Sequence, residues 1–318
     1  MITRPSKRQL AMVIPWCLLA CGLALVYSQV ERPAALVNIG VPWARIGALA
    51  VVMTPIILTG GIDLSVGSMI ALASVVMGVC WQHGSPVEVA ALLAMAAGML
   101  AGAVNGLLVI VGLSPLVATL ATMAFYSGLA MMVSGAQKIT DVPKAAVNIK
   151  TLAGIPSEYW ILAIVFLVAL VTIHFTRFGR WCHAIGDNPM AARFAAVPIY
   201  WTQWWLYTAS GLVAGLLAVV YTTRQGANPT EHQGIELGAI ACVVVGGTLI
   251  TGGRGGIGLT LLGLAVMSSL DIGLSFLSFR VSFLTADARL MVIGALLILI
   301  AVGNEWSARG DHVDPEST

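Results

Sequence analysis

Long apolar runs, each closed off by charge, proline or glycine, recur from one end of this sequence to the other, and they limit its fold more than any motif does. Ten of them are long enough to be candidate membrane spans, at 10–28, 44–60, 64–82, 89–112, 115–134, 159–175, 203–222, 237–251, 256–276 and 288–303. Hydrocarbon offers the backbone no water, so each crossing must close its own hydrogen bonds as a helix. The expectation is an all-α polytopic membrane protein of about ten transmembrane helices, a single domain over 1–318. The 237–251 run is short enough to be broken or re-entrant. Composition agrees: 9% of residues are charged, against roughly 25% in soluble domains, and the mean hydropathy is +0.93.

Arg4, Lys7 and Arg8 precede the first run, as in a signal peptide, and Leu18-Leu19-Ala20-Cys21 resembles a lipoprotein cleavage box. The run continues past Cys21 to a full span, so it reads as a retained first helix. An even number of crossings puts both termini on one side. Basic residues then divide eight against eight between the two faces, and the compact Arg4–Arg8 cluster breaks the tie in favour of cytoplasmic termini. A net charge of +2 gives no case for nucleic acid as a partner; the obligatory surroundings are membrane lipid. The five cysteines, without a CxxC pair or a histidine cluster, read as small buried hydrophobes.

Between the second and third runs lies Gly60-Gly61-Ile62-Asp63-Leu64-Ser65-Val66-Gly67. A carboxylate there costs a few kcal/mol or more unless it finds water or a partner. The glycines free the backbone, and Asp63 is placed to accept from the amide of Ser65 or Val66 as an N-cap where a helix restarts; a direct role toward solute or proton is the sharper alternative. Gly98, Gly102 and Gly106, and likewise Gly211 and Gly215, form smooth stripes for close helix packing. Asn105, at the edge of the first stripe, either ties helices together or lines a polar pathway. Thr119, Thr122 and Tyr126 share one face of the fifth run: either a hydroxyl track for a polyol, or groups satisfied by their own backbone. Asp271 is expected to be a water-exposed helix-end residue. So few buried ionisable groups argue against a proton-driven pump.

Two loops are long enough to carry function, 135–158 and 176–202, the latter cytoplasmic in this topology. Within it, Gly186-Asp187-Asn188-Pro189-Met190-Ala191-Ala192-Arg193 reads as a turn and a short helix, capped by Asp187 or Asn188 with Pro189 at its first position. Trp201, Trp204, Trp205 and Tyr207 follow as an aromatic belt. Phosphate-loop, zinc-protease and nucleophile-elbow motifs are absent, and Gly252-Gly253-Arg254-Gly255-Gly256 lacks the lysine and hydroxyl that hold phosphate and magnesium. No enzyme, cofactor or metal is expected.

Met53-Thr54 through Thr59 to Ser68, the Gly186–Arg193 loop, and Ile235-Glu236-Leu237-Gly238-Ala239-Ile240 onward to Gly252-Gly253 together resemble the sugar-type permease subunits of bacterial ABC importers, the ribose, rhamnose and autoinducer-2 branch. Asn105–Leu108 and Ser114–Met123 add to the likeness, which extends from about residue 36 to 303. Departures lie at Pro55, at Val197-Pro198-Ile199 and between Leu270 and Leu290. The resemblance implies a non-catalytic permease of the inner membrane, paired with a second permease, identical or different. A periplasmic sugar-binding protein would deliver substrate to the outer loops. A cytoplasmic ABC ATPase would receive Gly186, Asp187, Asn188, Ala191 and Arg193 in a cleft, with 176–202 as the coupling loop. It also implies that Asp63, Ser65, Asn105, Thr119, Thr122 and Tyr126 serve the translocation path or the helix break. The alternatives are a stand-alone secondary transporter or facilitator and, with the least support, a membrane-embedded enzyme. The sugar itself is chosen by another polypeptide.

Overall fold

The computed structural model describes residues 37–140, 151–152, 154–230 and 234–278, with a few single residues beyond. The expected first span, 10–28, and nearly all of the last, 288–303, lie outside the described residues. The other eight runs are all helices. They are α1 (Val41–Leu58), α2 (Val66–Gln82), α3 (Val87–Ile110), α4 (Pro115–Val133), α5 (Ser157–Phe175), α8 (Ile199–Gln225), α9 (Ile235–Val245) and α10 (Ile257–Ser278). Six are long and apolar enough to cross a membrane; α2 and α9 are shorter apolar helices. Two further helices, α6 (Arg177–Asp187) and α7 (Pro189–Phe194), occupy the 176–202 loop, and a small hairpin of β1 (Thr151–Leu152) and β2 (Ile155–Pro156) precedes α5.

α1, α2 and α8 form the centre, buried along most of their length, while α4 and α5 turn Leu120, Phe125, Met132, Leu167 and Val168 outward. That is the order lipid imposes: with no hydrophobic drive between helices, close association depends on backbone approach and shared polar groups. Such an approach is made between α3 and α8, where the two glycine stripes meet. A Cβ on Gly98 would stand 2.5 Å from the Gly211 carbonyl, and one on Gly211 would stand 2.8 Å from Gly102 Cα. Gly106 lies against Trp204, where a Cβ would stand 2.9 Å from its Cα.

The helix ends sort into two faces. On one, Tyr159 donates to the Val37 carbonyl at 2.9 Å, Trp43 Nε1 donates to Asp271 at 3.0 Å, and Glu158 pairs with Arg224 at 3.1 Å. Gly226, at φ +84°, ends α8 there and lets Ala227 pair with Ile139. Asp271 is therefore not the water-exposed helix end expected of it: α10 runs on to Ser278, and the carboxylate is half-buried against Trp43. The opposite face gathers the end of α1, the start of α4, α6, α7 and the glycine-rich segment before α10.

α9 stops at Val245, short of the expected 251, because Gly246 and Gly247 break it. Its chain then continues non-helically to α10, so 237–251 is a broken element, as its length suggests. Pro55 does not end α1: it sits in the last turn, where one hydrogen bond is lost and the helix continues to Leu58. Among the described cysteines, Cys80, Cys182 and Cys242 are free and carry no bridge; burial pushes the Cys182 thiol up to about 12.

Gly211→Leu is expected to force α3 and α8 apart and destabilise the protein by about 1–3 kcal/mol, as overpacking does. Gly128→Leu, at a position with nothing within 4 Å, should leave it unchanged. Thermal unfolding in detergent reads both.

Candidate functional site

The turn between α1 and α2 is where sequence, packing and charge converge. α1 ends at Leu58, Gly60 takes φ +78°, and the chain runs non-helically to Ser65 before α2 begins at Val66. Asp63 is fully buried in this turn. Its Oδ1 accepts from the Ser65 amide at 3.0 Å and from the Ser65 hydroxyl at 2.8 Å; its Oδ2 accepts from the Ser210 hydroxyl of α8 at 3.0 Å. The N-cap position itself belongs to Ser65, not to Asp63. Asp63 stands two residues earlier and fixes the residue that starts the helix, because a bond from carboxylate to the second amide onward closes a tight turn. Of the two amides expected as donors, Ser65 supplies one and Val66 does not.

Around this carboxylate the donors line up in one direction. The single Tyr126 hydroxyl hydrogen is shared between the Ala101 carbonyl at 2.9 Å and Asn105 Oδ1 at 3.2 Å. Asn105 Nδ2 donates to Ser65 Oγ at 2.6 Å, and Ser65 Oγ passes its own hydrogen to Asp63. Asp63 terminates the chain, a position suited to an acceptor-only carboxylate. Satisfied networks of this kind in a low-dielectric interior hold their members in one geometry.

The hydroxyl stripe of α4 turns inward onto this same turn. Thr119 donates to the Pro115 carbonyl at 2.9 Å and leans toward the Ile62 carbonyl at 3.4 Å; Thr122 donates to the Thr119 carbonyl at 3.2 Å. Both threonines thus bond their own helix, and Tyr126 reaches across to α3. The six residues Asp63, Ser65, Asn105, Thr119, Thr122 and Tyr126 come together as one buried polar cluster drawn from the α1–α2 turn, α3 and α4. Asn105 ties α3 to the turn. Ser210 escaped sequence reasoning, and Tyr207, expected in the aromatic belt, is instead buried here with its hydroxyl 3.4 Å from the Ile62 carbonyl. Both are on α8, some 147 and 145 residues from their partners, and neither Ser210 nor Tyr207 has a local spacing that marks it.

The second group lies at the adjoining face. Asn188, rather than Asp187, caps α7, accepting from the Ala191 amide at 3.0 Å, with Pro189 at the first helical position. The short helix is as expected, but α6 before it was missed. Its signal is Phe178, Cys182 and Ile185 at i, i+4, i+7, one apolar face packed on α1 and α5, opposite Arg177 and Arg180. Asp187, Asn188, Ala191 and Arg193 are exposed, as are Met190 and Phe194. Gly186 is different: it packs directly against the Leu58 carbonyl and the Gly253 amide. Pro189, Met190, Arg193, Pro198, Tyr200 and Trp201 border an open cleft of about 410 Å³. Beside it the rings of Trp201, Trp204 and Trp205 cluster with centroids 5.0–5.7 Å apart, one pair stacked and two edge to face.

Residues 36–301 match the family described as "Branched-chain amino acid transport system / permease component". The chain belongs to this family. Among its relatives, the ribose import permease protein RbsC of Escherichia coli K12 is 36% identical over 266 residues, 80% of each chain. RbsC of Bacillus subtilis 168 is 35% identical over 262 residues, again 80% of each. The autoinducer 2 import system permease protein LsrD of Yersinia enterocolitica is 34% identical over 272 residues, 82% of this chain and 81% of that one. No solved structure matches the chain. The permease is thus a multi-pass protein of the inner membrane, a transport component of an ABC importer.

Removing the hydroxyl in Ser210→Ala should destabilise the permease by about 1–2 kcal/mol, and Asp63→Ala by more, since it leaves two hydroxyls and an amide without an acceptor. The double variant should lose less than the sum, because the two side chains share one bond. Thermal unfolding of the four proteins in detergent measures that coupling.

Proposed function

We propose that the permease is the non-catalytic transmembrane subunit of an ATP-driven importer for a monosaccharide or a related polyol. The observation that carries this is the likeness, over four fifths of the chain, to permeases that import ribose and autoinducer 2. In this reading 1–318 is one transmembrane domain of about ten crossings with both termini cytoplasmic. The face that gathers α6 and α7 is then the cytoplasmic one. A second permease, identical or different, completes the translocation path, and a periplasmic binding protein delivers the sugar to the opposite face.

The segment 176–202 is the coupling loop. An exposed short helix with uncovered Met190 and Phe194 beside Arg193 is what a cleft in a cytoplasmic ABC ATPase can grip. Asp63, Ser65, Asn105, Thr119, Thr122 and Tyr126 hold the helix break between α1 and α2 rather than coordinate sugar, since each already has a protein partner and all are buried. The translocation path then opens beside this cluster when the helices around it shift. Neither ATP hydrolysis nor a cofactor belongs to this chain.

Purified permease, its co-purifying ATPase and the binding protein in proteoliposomes test the reading. Uptake should require all three and ATP. Gly186→Arg, which sets a long side chain against the Leu58 carbonyl, should reduce uptake at least about tenfold and lower the unfolding temperature, while the permease still purifies folded in detergent. Uptake by the permease alone without ATP, unaffected by Gly186→Arg, would instead make it a facilitator.

A further inference from the structure

Three stretches of backbone from distant parts of the chain meet at one point with no side chain between them. The Gly253 amide donates to the Leu58 carbonyl at 2.9 Å. That carbonyl is one of the last of α1, which the helix itself cannot satisfy. Gly186, in the last turn of α6, touches both groups. A Cβ on Gly252 would lie 2.9 Å from the same carbonyl, 3.0 Å from the Gly60 amide and 3.2 Å from Gly186 Cα. The two Thr-Gly-Gly segments, Thr59-Gly60-Gly61 and Thr251-Gly252-Gly253, are thus neighbours here.

Two side chains of α6 border this junction: the Asp187 carboxylate lies against Gly253, and His183 hydrogen-bonds to it. His183 lies one turn before Gly186 on the same face of α6, and its Nδ1 is 2.9 Å from the Gly253 carbonyl. A carbonyl only accepts, so His183 donates from Nδ1. Gly253 is therefore held at both of its backbone groups, its N–H by the end of α1 and its C=O by α6. From Leu58 the chain reaches Asp63 in five residues, and from Gly253 it reaches the start of α10 in four.

The geometry points to His183 as a positioning residue that transmits movement of α6 to the Gly253 peptide, and through it to the α1–α2 turn and to α10. The inference rests on the coupling reading of 176–202 and adds the route inward. The backbone contact at Gly186 can only press α6 on the glycine segment; the His183 bond also holds the segment when α6 withdraws, so that the two shift together in both directions.

The test uses the complete importer in proteoliposomes, with ATP hydrolysis and uptake measured in the same vesicles. His183→Ala should keep assembly and ATP hydrolysis within about two-fold of wild type while uptake per ATP falls about tenfold, the scale of one well-made hydrogen bond. His183→Asn, whose amide nitrogen occupies nearly the place of Nδ1, should recover most of the loss; His183→Phe should not. Unchanged uptake per ATP in His183→Ala would overturn the inference. So would His183→Asn failing like His183→Ala, with both losses following thermal stability, since His183 would then be a packing residue only. If wild-type uptake needs no ATPase, the coupling reading itself falls and takes this route with it, whatever the His183 variants do.

Discussion

A single carboxylate, buried beside three donors and, among the described residues, with no cation bonded to it, organises the centre of the permease. Asp63 draws the Ser65 amide and hydroxyl to one oxygen and Ser210 to the other, and Asn105 and Tyr126 extend the chain of donors. Burying an anion is unfavourable by several kcal/mol unless oriented dipoles replace the lost water. Here two of the replacements come from the turn itself and one from α8, while α3 supports the turn through Ser65. The cost of the charge is thus offset only when these elements stand in one arrangement. This gives the helix break a specific geometry that apolar packing in lipid would not supply.

Glycine supplies the complementary device. Where α3 crosses α8, and where α1, α6 and the segment before α10 converge, backbones touch directly. Contacts between backbones do not repack by rotamer change, so they carry displacement more faithfully than a layer of leucines would. The polar cluster lies between these two glycine contacts: Ser210 neighbours Gly211 on α8, Asn105 neighbours Gly106 on α3, and Gly60 begins the turn that ends at Ser65.

Elements set by local pattern were legible in the sequence. Eight apolar runs became eight helices, the bond from Asp63 to the Ser65 amide followed from a two-residue spacing, and Asn188 with Pro189 announced α7. What stayed hidden was long-range or subtle. Ser210 partners Asp63 across 147 residues, and a lone serine in an apolar run says nothing of where it points. The hydroxyls of α4 share a face, as their spacing requires, but spacing alone leaves open whether that face meets water, lipid or another helix. Asp271 was misplaced for a similar reason: its partner Trp43 lies 228 residues away. α6 was overlooked because charged residues on its outer face broke the apolar run that marks a spanning helix, although its inward face keeps helical period.

α8 carries one more consequence. With 27 residues it is the longest described helix, about 40 Å at 1.5 Å per residue. Its tryptophan cluster at 201–205 and its ion-paired Arg224 stand apart by about 30 Å, close to the hydrocarbon thickness of a bilayer. Aromatic rings settle at the headgroup level and a charged pair stays at the opposite boundary, so the helix measures the membrane as a gauge does. Because α8 also holds Ser210 and the glycine stripe, the depth at which the protein floats and the position of its buried carboxylate are set by the same rod. A thinner or thicker bilayer would tilt that rod, and with it the polar centre.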